Sequence, residues 1–227
     1  MTARLKAMIL AAGRGERLRP LTDTIPKPLI EVAGKPLIQY HIDRLRDAGM
    51  TDIIINTAWL ADSIHDMLGD GGRFGVSISY SDEGTALETA GGIIRALPQL
   101  GDGPFLVING DIWCDYDFTS LPVIAADKLA HLVLVDNPQH NPAGDFAIEH
   151  GLIRNQAASM LTFSGIGIYR KALFEGRPQG PLPLAPILRE MADQGLVSGE
   201  HYAGRWTDVG TIERLEQLDY TLRHGSS

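Results

Sequence analysis

Short unbroken apolar runs alternate along the chain with stretches in which apolar residues recur every three to four positions. Lys6–Ala11, Asp52–Asn56 and Phe105–Asn109 read as strands buried on both faces, because a strand with one wet face would alternate. Val76–Tyr80 does alternate, and Leu132–Val135 and Phe163–Tyr169 are further strand candidates. Helical patterns lie between them. Leu37–Ala48 sets Ile38, Ile42 and Leu45 on one face behind Pro36, whose fixed φ suits a first helical turn. Ala61–Leu68 ends at Gly69-Asp70-Gly71-Gly72, and Thr89–Leu97, Leu184–Gln194 and Thr211–Arg223 repeat the helical period. Asp136–Asp145, rich in Pro, Asn and Gly, reads as a loop.

This β-α-β-α order predicts an α/β fold with a central mixed, mainly parallel sheet and helices on both faces. No repeat, linker or low-complexity block interrupts it, so residues 1–227 read as one domain. Ligands of open parallel sheets sit beyond the carboxyl ends of the strands. Three polar segments fall there: Ala12–Arg19, Asn109-Gly110-Asp111 and Thr207-Asp208-Val209-Gly210.

Composition narrows the partners. The chain is 44% hydrophobic and 21% charged, ordinary for a globular protein, and its net charge of −8 argues against a nucleic-acid partner. Arg4 and Lys6 precede an apolar run that is too short for a signal peptide, and no stretch approaches the roughly 20 apolar residues of a membrane span. A lone cysteine, Cys114, cannot form a disulfide within the chain and suits a reducing cytoplasm. The seven histidines show no metal-ligand spacing.

Against this acidic background, residues 14–35 reverse the sign. Arg14, Arg17, Arg19, Lys27 and Lys35 stand against Glu16, Asp23 and Glu31. The segment Leu10-Ala11-Ala12-Gly13-Arg14-Gly15-Glu16-Arg17 joins glycines, which let backbone N–H groups crowd a phosphate, to guanidinium groups that bind phosphate through several donors. Lys27 follows, held between Pro26 and Pro28. The loop is neither a Walker A loop nor a dinucleotide fingerprint. A phosphate-binding corner accounts for the charge reversal.

The whole run resembles the signature of the sugar-1-phosphate nucleotidylyltransferase superfamily. Glu88-Thr89-Ala90-Gly91-Gly92, Asn109-Gly110-Asp111 and Trp206-Thr207-Asp208-Val209-Gly210-Thr211 resemble that family's later motifs, in the same order. The resemblance implies a single-domain, three-layer, Rossmann-like nucleotidyltransferase fold. It implies catalytic Arg17 and Lys27, and a nucleotide pocket built from Ala12, Gly13, Gly15, Glu16, Arg17, Lys27, Glu83 and Gly92. Asn109 and Gly144 would meet the sugar, and Asp111 and Asp208 would hold Mg²⁺. Blander roles stay open for several of these. Asp111 suits a turn or cap, Asp208 a helix N-terminus, Glu83 a solvated loop, and Gly144 a simple turn.

Within the superfamily, Asn109–Trp113, Gly144-Asp145-Phe146, Leu161–Gly165 and Ser198–Tyr202 are similar to N-acetylmuramate α-1-phosphate uridylyltransferases of bacterial cell-wall recycling. That implies UTP and a sugar 1-phosphate as substrates, with no obligate protein partner. Guanylyl-, thymidylyl- and cytidylyltransferases, or a non-catalytic sensor, are the other readings. The Glu-Lys-Pro segment of longer thymidylyl and guanylyl relatives is missing from Asn155–Met160. Too few residues follow the last helix for the β-helix acyltransferase domain that some relatives carry. A muramate lactyl carboxylate would need a cation or N–H donor beside it, for which Arg154 and Arg205 are candidates.

Overall fold

The computed structural model describes residues 5–225, so Arg4 lies outside the described residues. The chain runs β1 (Lys6–Leu10), β2 (Glu31–Val32), β3 (Lys35–Pro36), α1 (Leu37–Asp47), β4 (Asp52–Thr57), α2 (Ala61–Leu68), β5 (Ser77–Asp82) and α3 (Glu88–Leu100). It continues through β6 (Phe105–Asn109), β7 (Ile112–Cys114), β8 (Ala130–Val135), β9 (Ala147–Glu149), β10 (Leu152–Arg154) and β11 (Thr162–Tyr169). The last elements are α4 (Leu184–Asp193), β12 (Val197–Tyr202), β13 (Trp206–Asp208) and α5 (Ile212–His224).

β1 sends Ala7 and Ile9 to one face and Met8 to the other. Both faces are covered, which is why its sequence shows no alternation. Ile38, Ile42 and Leu45 of α1 and Ile64 and Leu68 of α2 pack on the first face. Ala90, Ile93 and Ala96 of α3 and Ile187 and Leu188 of α4 cover the second. The result is three layers, helices–sheet–helices, as expected. A smaller cluster joins Leu218 of α5 to Val32, Leu37, Trp113 and Val209, clamping β2 and the β7–β13 pair to the body.

The main sheet has nine strands in the order β5-β4-β1-β6-β11-β8-β12-β10-β9. Its pairings make β11 and β10 the two strands that oppose the rest, so the sheet is mixed but mainly parallel. β1 lies between β4 and β6, so the chain winds outward to one side of β1 and then crosses to the other. That is a topological switch point, where the strand ends part and leave a crevice.

The apolar strands and all five helices stand within a few residues of their sequence-based bounds. α3 carries Pro98 within its last turn and ends at Leu100, two residues beyond it.

Candidate active site

A cavity of about 460 Å³ opens at the carboxyl ends of β1, β4 and β6. Its walls combine the loop after β1 (Ala11, Ala12, Gly13, Gly15, Glu16, Arg17), Lys27, Asn56, Glu83, Glu88, and Asn109-Gly110-Asp111. Of the residues expected from sequence, Ala12, Gly13, Gly15, Glu16, Arg17, Lys27, Glu83, Asn109 and Asp111 line it. Gly92, Gly144 and Asp208 do not.

Lys27 is 7% exposed and its Nζ donates to Asp111 Oδ2 at 2.8 Å. Its backbone begins a short 3-10 turn, Lys27–Leu29, set by the flanking prolines. Gly15 makes the close approach of the loop possible. It sits at φ 68°, and a Cβ there would lie 3.0 Å from Thr22 Cγ2 and 3.2 Å from Lys27 Cβ. Thr22 Oγ1 closes the turn by donating to the Gly15 carbonyl at 2.9 Å. Gly110 crosses the end of β1, its N–H donating to Leu10 O at 2.9 Å. A Cβ on Gly110 would be 2.5 Å from that oxygen.

A buried polar network braces the opposite wall. Asn56 Oδ1 accepts from the Ala11 N–H at 2.7 Å, and Asn56 Nδ2 donates to Glu83 Oε1 at 2.6 Å. Glu83 Oε2 accepts from the Leu87 N–H at 2.7 Å. The network ties the ends of β1, β4 and β5 to the start of α3. Gly92 explains itself here: a Cβ would fall 2.4 Å from Glu83 Oε1 and 2.9 Å from Asn56 Nδ2. Glu83 is therefore a buried, bonded carboxylate and not the solvated loop residue that the sequence also allowed. Each of its oxygens keeps a second lone pair for another donor.

Asp208 lies behind the cavity wall, next to Asp111 across two strand-like segments, with Val209 N–H donating to Asp111 O at 2.7 Å. Its Oδ1 accepts from Arg214 Nη1 at 2.9 Å, and His140 Nε2 stands 3.0 Å from the same atom. Its Oδ2 reaches toward Gly210, which does line the cavity. Asn109 packs its side chain into the space left by Gly165, where a Cβ would be 2.7 Å from Asn109 Nδ2. Gly165 has φ 83° and sits at a bulge in β11 between Phe163 and Ile166. Gly144, at φ 67°, turns against Leu161 and Asn137, away from the cavity lining.

The two cations suggested for a lactyl carboxylate do not reach this cavity. Arg205 pairs with Asp115 at 3.1 Å and stacks on Trp113. Arg154 lines a separate groove with Asn155 and Arg189, at the far edge of the sheet. The sequence assigns no site role to Asn56, His140 or Arg214, and it places Glu88 only within a family motif. Asn56 alone left a signal, as a polar residue closing an unbroken apolar strand.

The lining carries four carboxylates, Glu16, Glu83, Glu88 and Asp111, against Arg17 and Lys27. Such a cavity does not welcome a polyanion unless cations come with it. Asp111 Oδ1 and Asp208 Oδ2 accept no hydrogen bond among the described residues. These are hard oxygen donors, and no cluster of three or more metal-ligating side chains occurs among the described residues. One or two carboxylates completed by substrate phosphates is the ligand set that Mg²⁺ favours. Cys114 is buried, and burial pushes its thiol up to about 11, so it supplies no nucleophile. No helix of the described residues is long and apolar enough to cross a membrane.

The sequence pattern described as "Nucleotidyl transferase" matches residues 6–224. The chain is 54% identical to the N-acetylmuramate alpha-1-phosphate uridylyltransferase of Neisseria meningitidis serogroup B, over 94% of this chain and 96% of that one. It is 36% identical to the enzyme of the same name from Caulobacter vibrioides, over 90% and 91% of the two chains. A solved Bacillus anthracis protein in complex with sucrose superposes with a TM-score of 0.83 at 26% identity, covering 98% and 97% of the chains.

Proposed function

Because the chain belongs to the nucleotidyl transferase family, we propose that it transfers UMP from UTP to N-acetylmuramic acid α-1-phosphate and releases pyrophosphate. The observation that carries this reading is the end-to-end match to two uridylyltransferases with that acceptor in their names, one above half identity. The reaction needs no protein nucleophile. A sugar-phosphate oxygen, already ionised, attacks the α-phosphorus in line as the bond to pyrophosphate breaks, so the protein's work is placement and charge stabilisation.

The residues divide that work by position. The backbone of Ala12, Gly13 and Gly15, shaped with Glu16, receives the nucleotide, and Gly92 leaves room for the Asn56–Glu83 brace behind it. Glu83 offers a carboxylate oxygen to the uracil N3–H. Lys27, nearly enclosed, neutralises phosphate beside the reacting centre. Arg17 lines the mouth, pairs with no carboxylate among the described residues, and meets the departing pyrophosphate. Asn109 presents its amide to the acceptor, with Gly144 further along the sugar's path. Asp111 and Asp208 would hold Mg²⁺, which when bound supplies positive charge against phosphate oxygens.

We place the reaction in peptidoglycan recycling and in the cytoplasm, the latter because the single cysteine is buried and unpaired. The test is a pyrophosphate-release screen of UTP, dTTP, GTP and CTP crossed with sugar 1-phosphates, with and without Mg²⁺. Release above background only with UTP and Mg²⁺ is expected. A clear preference for GTP would overturn the uridylyl assignment.

A further inference from the structure

The cation excess of residues 14–35 is partly spent inside the protein. Arg19 pairs with Asp23 at 2.8 Å, Lys35 with Asp43 at 2.8 Å, and Lys27 with Asp111 at 2.8 Å. Among the described residues, Arg14 and Arg17 remain without a carboxylate. Arg14 sits between Gly13 and Gly15, both of which line the cavity, and its guanidinium carbon lies over the Trp59 ring, 4.3 Å from the centroid. Stacking commits a guanidinium's face and leaves its N–H edge open. Trp59 is fixed in turn: its Nε1–H donates to Thr22 O at 3.0 Å, and Thr22 closes the Gly15 turn. The indole thus couples the loop after β4 to the glycine loop after β1.

Charge is also graded by depth. Lys27 is nearly enclosed, whereas Arg17, which lines the cavity, and Arg14, which stands beside the lining between Gly13 and Gly15, are both exposed. A nucleotide whose α-phosphorus meets Lys27 directs its terminal phosphates outward. We propose that Arg14 is a second pyrophosphate-binding guanidinium, held on Trp59 beside the glycine loop and turned onto the β- and γ-phosphates when the nucleotide enters. This rests on the reading that the cavity takes a nucleoside triphosphate, but not on which base or sugar it takes. It also fits the acidic lining, since the cavity's own two cations do not balance a triphosphate.

The probes are inorganic pyrophosphate and UTP with Mg²⁺, measured by titration calorimetry on the whole protein, so turnover is not required. Arg14→Ala should weaken both about ten-fold, the loss of one charge-assisted contact, and Arg14→Lys should recover part of it. Trp59→Ala should weaken both as well, and adding Arg14→Ala to it should cost little more, because one device has been removed twice. Arg19→Ala, a charge removed from the same loop but already paired, should bind as wild type. In wild type, UTP should change the tryptophan emission, and Trp59→Phe should remove that change. Wild-type pyrophosphate binding by folded Arg14→Ala, or an equal loss in Arg19→Ala, would overturn the proposal. If wild type binds another nucleotide better than UTP, the uridylyl reading fails while the Arg14 effect on pyrophosphate persists.

Discussion

Lys27 and Asp111 lie 84 positions apart in the chain and 2.8 Å apart in space, Nζ to Oδ2, at the closed end of the cavity. The lysine is 7% exposed whereas the Asp111 side chain is partly open to solvent, so it is the buried lysine charge that depends on its partner. The pair fixes both side chains and leaves Asp111 Oδ1 open to the cavity. Lys27→Ala and Asp111→Ala should each lower kcat/KM by about 10²–10³-fold, as the loss of a preorganised charge at a phosphoryl centre does. The double variant should fall well short of the product of the two losses. Pyrophosphate release in matched Mg²⁺ measures all three. Multiplicative losses would show that the two residues act separately.

Glu83 ties stability to base choice. Glutamine has one acceptor oxygen, so Glu83→Gln cannot keep both the Asn56 and Leu87 bonds, and about 1–3 kcal/mol of stability should go with the lost partner. The new amide can also donate to cytosine N3, which a carboxylate cannot do. The ratio of kcat/KM for CTP to that for UTP should therefore rise in Glu83→Gln. A fallen melting temperature with an unchanged ratio would leave Glu83 as a brace only.

Gly165 governs Asn109 from the next strand. In Gly165→Ala the new methyl would press on the Asn109 amide from 2.7 Å, at a φ of 83° that alanine adopts with strain. The KM for the sugar 1-phosphate should rise several-fold and stability should drop by more than ~1 kcal/mol, with the KM for UTP little changed. Equal rises in both KM values would contradict a specific effect on Asn109.

Much of this site was legible because its strands are. β1, β4 and β6 are buried on both faces, so they stand out as unbroken apolar runs, and the glycine loop and Asn109-Gly110-Asp111 follow directly at their ends. β12 escaped notice because Val197-Ser198-Gly199-Glu200-His201-Tyr202 shows no long apolar run; its place beside β8 is set by long-range pairing. β7 and β13 are three residues each and exist only through each other. For the same reason the Lys27–Asp111 pair, the His140 and Arg214 contacts on Asp208, and the Arg14–Trp59 stack were out of reach. Each joins segments whose relative position follows from strand order, which no local pattern encodes.

His41 predicts a pH dependence. It is fully buried on α1, and its Nε2–H donates to Ile112 O at 2.8 Å, steadying the residue after Asp111. Burial lowers its pKa from 6.5 to about 4. Between those values the unfolded chain binds a proton that the folded chain refuses, so stability falls as pH drops through the window. The full loss from this residue is about 3 kcal/mol. Denaturant melts at pH 7 and pH 4.5 should show a smaller acid loss in His41→Gln than in wild type. Equal losses would contradict a neutral buried His41.

The central claim is the choice of acceptor, and steady-state competition measures it most directly. With saturating UTP and Mg²⁺, kcat/KM should be at least about ten-fold higher for N-acetylmuramic acid α-1-phosphate than for glucose 1-phosphate or mannose 1-phosphate, a difference worth roughly 1.4 kcal/mol at the transition state. The product should be UDP-N-acetylmuramic acid. An equal or higher kcat/KM for glucose 1-phosphate or mannose 1-phosphate would contradict the muramate assignment while leaving the nucleotidyl transferase family intact.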